Sequence, residues 1–422
     1  MHTLAKLSWL LIPTTTLGLL AFARAQTQPV VPATRVVPAD SALAKPRDGS
    51  KLPEAAQPIF FSGSRGMDWL KLTNKPDGRF VYGFQPALRV QIEGDNFTSQ
   101  AGATLALARA SRYYRDGRGT AIASQALLAL LGTETIEEKG KSIRYTAAPP
   151  NVLDRLTAHG LLISAIHELA SPHERKDLLL AADELCNYLR AQQRPDGSML
   201  VSVGSNLLKS GSDELDAERA GLALQGIIRS QKHRPADWKL DMLRKARTHY
   251  QASWQDNKNF ATVCTHTPAY AEAYLHTKEA AFADSVFAMN DWLISIQYRD
   301  EFDAARKHWL GGFPRYRHGK QEPGAPDIGS ALAGESLADA CRVAKHAGDL
   351  PRLQRYERAL LLNLHFLMSL QYSAKTTAHF AEFFRPSLLG AFHASHQDGN
   401  LKIDYTQHAL CAMVQYLENV VE

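Results

Sequence analysis

Four carboxylates, two histidines and two tyrosines stand where a helical protein could use them for chemistry. The acids are Asp95, Asp216, Glu335 and Asp404. Glycoside hydrolysis needs such residues in pairs, one protonating the leaving oxygen and the other acting as base or nucleophile. The second set is His266 with Tyr270, and His408 with Tyr405. Uronate elimination and sugar epimerisation use His or Tyr as acid and base, with Arg or Asn neutralising the charge that develops. Arg315 and Asn96 suit that neutralising role, and Gln100, Arg219 and Tyr316 could join them in holding a substrate. The residue types alone do not choose between these chemistries.

Each candidate also has a plainer role. Asp95 and Asp213 are good N-caps, and an acid in the first turn of a helix is favoured by capping and by the helix dipole. Asp216, Glu218 and Arg219 could form a solvated face of weak ion pairs. His266 and His408 could be hydrogen-bonded core residues. Glu335 is harder to explain away, because it lies in the small-residue run Ser330-Ala-Leu-Ala-Gly-Glu335-Ser. A lone acid there must face a lumen or find a partner. Metal-ligand spacings such as CxxC or HExxH are absent, so neither a metal nor another cofactor is expected. Cys186, Cys264, Cys341 and Cys411 are isolated and read as small buried hydrophobes.

The elements that must position these residues are helices about 15 to 22 residues long, with apolar residues at i, i+3, i+4 and i+7. The spacing predicts helices at 96–116, 119–131, 152–170, 173–193, 213–231, 236–254, 268–278, 280–296, 328–347, 350–370 and 405–420. Ser171-Pro172, Pro235 and Gly348-Asp349 supply breaks between them. The helices fall into five pairs, and a short helix around Met67 to Leu72 can partner the last one, joining the chain ends. Several helices end in an aromatic-Leu pair followed by Gln or by Asp-Gly: Trp69-Leu70…Asp77-Gly78, Tyr188-Leu189…Gln192…Asp196-Gly197, Trp292-Leu293…Gln297 and Phe366-Leu367…Gln371. Such a recurrence marks stacked helical hairpins. Polar residues gather where the first helix of each pair begins: Asp95 and Asn96, Asp154 and His159, Asp213 to Arg219, Thr265 to Glu272, Asp327 to Glu335, and Asp404 to His408. If those helices are the inner ones, one mouth of a ring is lined with acids, His, Tyr and Arg.

On these features the chain resembles the (α/α) toroid superfamily, and its fold class is expected to be all-α, an (α/α)6 toroid of helical hairpins. The resemblance takes in the six-hairpin glycosidases with related polysaccharide lyases and sugar epimerases. It extends to the terpenoid-cyclase and prenyltransferase-like toroids, whose Q-x-x-D-G-S turn is similar to Gln192-Gln-Arg-Pro-Asp-Gly-Ser198. The aspartate-rich motif of squalene-type cyclases is not found, and Cys264 with His266 falls short of the prenyltransferase zinc set. The carbohydrate side of the superfamily is therefore preferred, by analogy of fold.

The N-terminus reads as a cleavable signal peptide, residues 1–25. Lys6 precedes the apolar stretch 7–22, and Ala23-Arg-Ala25 supplies the small residues before the cut. The stretch is shorter than the roughly 20 residues that span a bilayer, so no stable membrane anchor is expected after cleavage. Residues 26–58 read as a Pro/Ala-rich linker and 59–422 as the toroid domain. The formal charge of +5 falls to +3 once Lys6 and Arg24 leave. Basic residues are spread out, which gives nucleic-acid binding no support. The expectation is a periplasmic or secreted enzyme acting on a polysaccharide or oligosaccharide by hydrolysis, elimination or epimerisation. The rivals are a non-catalytic glycan- or protein-binding toroid and a terpenoid cyclase/prenyltransferase-like protein with an aromatic-lined lumen.

Overall fold

Small residues crowd alternate helices, and that decides the architecture. The computed structural model describes residues 45–138, 140–146, 154–169, 175–200, 213–299, 304–317 and 319–422. The leader and most of the linker lie outside them. The helices are α1 (Gln57–Thr73), α2 (Phe97–Tyr114), α3 (Gly117–Glu134), α4 (Arg155–Leu169), α5 (Lys176–Ala191) and α6 (Asp213–Gln231). They continue with α7 (Asp237–Asp256), α8 (Phe260–Thr277), α9 (Ala280–Ser295), α10 (Ser330–Ala347), α11 (Leu350–Ser369) and α12 (Ile403–Tyr416).

In α2 and α10, Ala, Gly and Ser are buried on nearly every face. A helix buried all round has to be internal. Accordingly α2, α4, α6, α8, α10 and α12 each pack on the next, and α12 returns to α2, closing a ring. The helices between them, richer in Arg, Lys and Trp, form an outer layer, with α1 covering α12 and α2. The chain is an (α/α)6 toroid. Because each inner helix is followed by an outer one, the inner helices run parallel and open their N-termini on one mouth.

The aromatic-Leu recurrence has a physical basis. Gly78, Gly197, Gly311 and Gly390 all adopt positive φ, between +84° and +91°. Each lies against the backbone of the next outer helix: a Cβ on them would come within 3.1 Å of Gln125 O, 2.3 Å of Lys245 O, 2.0 Å of Leu362 O and 2.3 Å of Arg65 O respectively. A side-chain amide donates to each glycine carbonyl: Asn74, Gln193, Gln297 and Gln371. The three glutamines also donate to Met242 O, Ala359 O and Ser62 O on the adjoining outer helix. Gln193 does this, not the neighbouring Gln192. Gly390→Ala is expected to cost about 2–4 kcal/mol, from the left-handed conformation and the clash with Arg65 O. Denaturant unfolding measures it.

Two boundaries differ from expectation. Helix α8 starts at Phe260, not Pro268: Asn259 caps it by accepting from the Thr262 N–H, and Pro268 sits inside. The proline removes one i→i−4 bond without ending the helix. The helix expected around Met67 is the 17-residue α1, which begins at Gln57. The end of the expected linker is also packed, with Arg47 donating to Tyr113 O at 2.6 Å and Ala56 buried.

Short strands trim the loops: β1 (Gly83–Gln85), β2 (Val90–Gln91), β3 (Thr135–Glu138), β4 (Ile143–Thr146), β5 (Tyr316–Arg317), β6 (Lys320–Gln321), β7 (His393–Ser395) and β8 (Asp398–Lys402). They form one four-stranded sheet, β2-β1-β8-β7, and two hairpins, all antiparallel. The sheet ties the segment before α2 to the one before α12, bridging the mouth where the ring closes.

Far from the mouth, the inner helices share a buried ionic cluster. Glu168 on α4 accepts from Arg109 on α2 at 3.0 Å, Arg229 on α6 at 2.9 Å and Arg112 at 3.0 Å. Arg342 on α10 pairs with Glu272 and Asp339, each at 3.0 Å. Lying in the C-terminal halves of the helices, these residues fill the base of the ring.

Candidate active site

A pocket of about 650 Å³ opens at the mouth between α6, α8, α10 and α12. From α6 come Leu215 and Glu218, from the start of α8 Asn259 to Ala261, and from the start of α10 Asp327 to Ser330 and Leu332. Helix α12 gives Asp404, Tyr405 and His408. The loop before α10 adds Phe313 to Tyr316, and the β7–β8 hairpin adds Ala394, Ser395 and Asp398.

Helical spacing explains the grouping. Asp404 lies in the first turn of α12, and His408, four residues on, is below it on the same face. Glu335 occupies the second turn of α10, at the depth of His408, and its Oε1 lies 2.7 Å from His408 Nδ1. That contact occupies one ring nitrogen and leaves Nε2 for the pocket. Burial disfavours a charged His408, but the hydrogen bond and charge of Glu335, with the charges of Asp404 and Glu218, outweigh it. His408 is thus held above its ordinary value of 6.5. Asp404 is also raised, chiefly by burial, with His408 and Lys402 opposing. Its Oδ1 is buried without a hydrogen-bond partner. Two titratable groups, each with its proton affinity raised, therefore stand one turn apart on one face of α12.

Beside them, Arg315 Nε donates to Asp327 Oδ2 at 3.0 Å. Tyr316 packs edge-on against Trp292, with ring centroids 5.1 Å apart. Burial, foremost, raises the Tyr405 phenol.

Other sequence candidates lie elsewhere. Asp95 pairs with Arg79 at 2.6 Å and accepts from Gln100 Nε2. Gln100 spends the rest of its amide on Phe80 N–H and Phe80 O. Asn96 is the N-cap of α2, accepting from the Thr98 and Ser99 N–H groups. All three hold the segment before α2 in place. Asp216 contacts Arg219 at 3.5 Å, and Arg219 reaches Asp154 at 3.3 Å.

The expectation that His266 and Tyr270 open on the lumen needs correction. Both side chains are fully buried. His266 Nε2 donates to Ala217 O at 2.7 Å, so Nδ1 must accept from the Tyr270 hydroxyl at 3.0 Å. Burial brings His266 down to about 4 and pushes Tyr270 far up. The pair is a neutral clasp between α6 and α8. The pocket instead includes Asp398, Phe260 and Phe313, whose sequence context gave no chemical signal. Among the described residues, no group of three or more His, Cys, Asp or Glu is arranged to hold a metal ion. The four cysteines are buried and unpaired.

Glu335→Gln removes the negative charge that favours the His408 imidazolium and leaves only a neutral amide oxygen to accept from Nδ1. The stabilisation that pairing provides is complete below 6.5 and disappears as pH rises through the raised value. In the variant, NMR titration should show His408 ionising at lower pH than in the parent.

No protein-family profile and no curated protein matches the chain. Solved structures do. A D-mannose isomerase superposes with a TM-score of 0.59 at 13% identity, covering 86% of this chain and 99% of that one. An unsaturated glucuronyl hydrolase specific for heparin gives 0.59 at 13% identity, over 86% and 97% of the two chains. A polysaccharide lyase gives 0.51 at 11% identity, over 78% and 93%. These structures share the (α/α)6 toroid fold of this chain. At such identities the likeness fixes the architecture and leaves the chemistry to the residues of the pocket.

Proposed function

We propose that the chain is an exported carbohydrate-active enzyme that cleaves a glycosidic bond in the mouth pocket by general acid–base catalysis. The observation that carries this reading is the position of Asp404 and His408 on α12 opposite Glu218 on α6. In the ring order, α6 and α12 are three places apart, hence diametrically opposed. Neighbouring helix axes are about 8–10 Å apart, so opposite axes in a six-membered ring are about 16–20 Å apart. Hydrolysis with inversion requires that inward side chains from both sides narrow this to about 6.5–9.5 Å, at which two carboxyl groups can hold a sugar and a water between them.

In this reading Asp404, whose proton affinity is raised by burial, donates a proton to the departing glycosidic oxygen as the C–O bond breaks. Glu218 takes a proton from the water that attacks the anomeric carbon from the opposite face. His408 supplies positive charge beside the leaving oxygen, held in orientation by Glu335. Tyr405, Tyr316 and Phe260 offer aromatic faces to the sugar ring, and Arg315 with Asp327 offers hydrogen bonds at the rim. Carbohydrate chemistry in three solved structures of the same fold is consistent with this role. The carboxylates of the wall set it apart from the aromatic-lined lumen that a terpenoid cyclase relative implies. Export rests on the leader at 1–25; the described residues contain no helix long and apolar enough to cross a membrane.

The His408–Glu335 contact favours a second reading, in which His408 moves a proton at a sugar carbon, as isomerisation, epimerisation or elimination requires. A product screen in heavy-oxygen water and in D2O separates the readings. Hydrolysis places solvent oxygen on the new reducing end and no deuterium on carbon. Deuterium at carbon, or an unsaturated product, would favour the second reading. Binding without any turnover would make the protein a glycan-binding toroid.

A further inference from the structure

A second cavity, of about 470 Å³, lies between the end of α9 and a short 3-10 helix, Ala304–Trp309. It shares no lining residue with the mouth pocket. The Tyr298 N–H donates to Gly312 O at 3.0 Å and the Gly311 N–H to Tyr298 O at 2.8 Å. The chain that runs on from there as Phe313 to Tyr316 is the mouth wall, so one loop borders both spaces. Two aromatic rings form one side of the cavity. Tyr298 and Trp309 meet edge-on, with centroids 5.1 Å apart. Trp309 is fixed by donating its indole N–H to His308 Nε2 at 2.9 Å. The Tyr298 hydroxyl accepts from Gln321 Nε2 at 3.0 Å, which leaves its own hydrogen to donate.

Beside the rings the charge is positive. Arg299 lines the cavity and donates only to neutral acceptors, Gln297 Oε1 at 3.3 Å and Ile294 O. Burial, then the guanidinium groups of Arg355 and Arg358 on α11, hold Arg299 below its ordinary value. Acids do the reverse elsewhere, as Asp327 does for Arg315 and Glu279 for Arg244. Arg355 has Asp291 at 3.1 Å but shares it with Arg352. Arg299 and Arg358 are exposed and make no ion pair among the described residues. An anion between such like charges relieves their repulsion, and a guanidinium fork matches a carboxylate or a sulfate. A cavity with aromatic walls and a few placed polar groups takes a small ring-shaped ligand. We infer that this cavity is a second glycan-binding site for an acidic sugar, its carboxylate or sulfate on Arg299 with Arg358 beside it and its ring against Trp309 and Tyr298. The choice of a sugar rests on the carbohydrate reading of the mouth, but the site needs no catalysis there. A strand seated here is kept next to the loop that walls the mouth.

The test is calorimetric titration of the mature protein with uronate, sulfated and neutral oligosaccharides of equal length. At least one acidic oligomer is expected to bind about tenfold or more tighter than the neutral one, and which one does so identifies the anion. The preference should shrink with added salt, since the arginines are exposed. Arg358→Glu sets an acid beside Arg299 and should abolish the preference while circular dichroism and melting stay those of the parent. Arg299→Gln should abolish it too. Trp309→Ala should weaken acidic binding about 2–10-fold, the worth of an aromatic contact. Asp404→Asn, in the mouth, should leave the preference intact. Equal binding of all three oligomers overturns the inference even if some saccharide is cleaved. So does an acidic preference that the two arginine variants leave unchanged, that Trp309→Ala does not touch, or that Asp404→Asn removes. Arginine-dependent acidic binding without turnover upholds the inference and removes the enzymatic reading of the mouth instead.

Discussion

Asp404→Asn is expected to lower kcat/KM on the cleaved saccharide by about 10²–10⁴, the usual contribution of a positioned general acid. The same variant should be no less stable than the parent at neutral pH. Burial is the main force raising the Asp404 carboxyl above 3.8. A carboxyl raised in this way holds its proton more tightly in the folded than in the unfolded chain. The stability so gained is complete below 3.8 and is lost as pH rises through the raised value. As pH rises, ionising Asp404 therefore costs the parent more than it costs the unfolded chain, its Oδ1 being buried without a partner. Asparagine removes that charge. Melting curves of the two proteins should lie together in acid and separate towards neutral pH, with the variant higher. Loss of activity alongside gain of stability marks a catalytic group and not a structural one.

Glu168→Ala is expected to have the largest effect on the fold. The Glu168 side chain is 9% exposed and accepts from Arg109, Arg229 and Arg112, which belong to two other inner helices. Burial alone would raise this carboxyl, but the three guanidinium groups overcome it and hold the acid well below its ordinary 4.5. Removing the carboxylate leaves Arg109, 3% exposed, with its charge buried and unmatched. Breaking a buried pair from one side costs about 3–5 kcal/mol. Urea unfolding should show that loss at neutral pH. The pH dependence runs opposite to that of Asp404. The stabilisation by a depressed carboxyl is complete above 4.5 and is lost as pH falls through its folded value, so the variant's deficit should narrow in strong acid.

The ring was legible because its signals are local. Apolar residues at i, i+3, i+4 and i+7 mark the helices, and breaks such as Ser171-Pro172 and Gly348-Asp349 divide them into hairpins. The amide-to-glycine clasp was only half legible. Asn74 and Gln193 reach glycines four residues on, whereas Gln297 reaches Gly311 across 14 residues and Gln371 reaches Gly390 across 19. The insertions hide a contact that is the same in space.

At the site, Glu335 stood out because an acid among alanines needs a partner, and His408 is that partner. His266 and Tyr270 have the same residue types as His408 and Tyr405, and both histidines lie in the second turn of an inner helix. The direction they face separates them, His266 towards Ala217 O of α6 and His408 towards Glu335 and the pocket. With α8 starting at Pro268, His266 would stand above the helix, at the mouth. With the observed start at Phe260 it lies in the second turn, beneath the Ala217 carbonyl. Asp398 and Glu218 enter the pocket through ring closure and the β7–β8 turn, which join segments far apart in the chain.

The central claim is that a saccharide binds between α6 and α12 with Asp404 on one side and Glu218 on the other. A crystal structure of Asp404→Asn with an uncleaved oligosaccharide tests it most directly. The account predicts a glycosidic oxygen within hydrogen-bonding distance, about 3 Å, of the residue 404 side chain, and Glu218 on the opposite face of the same sugar. A sugar seated outside this pocket, or one in it with neither residue at the glycosidic bond, would contradict the account.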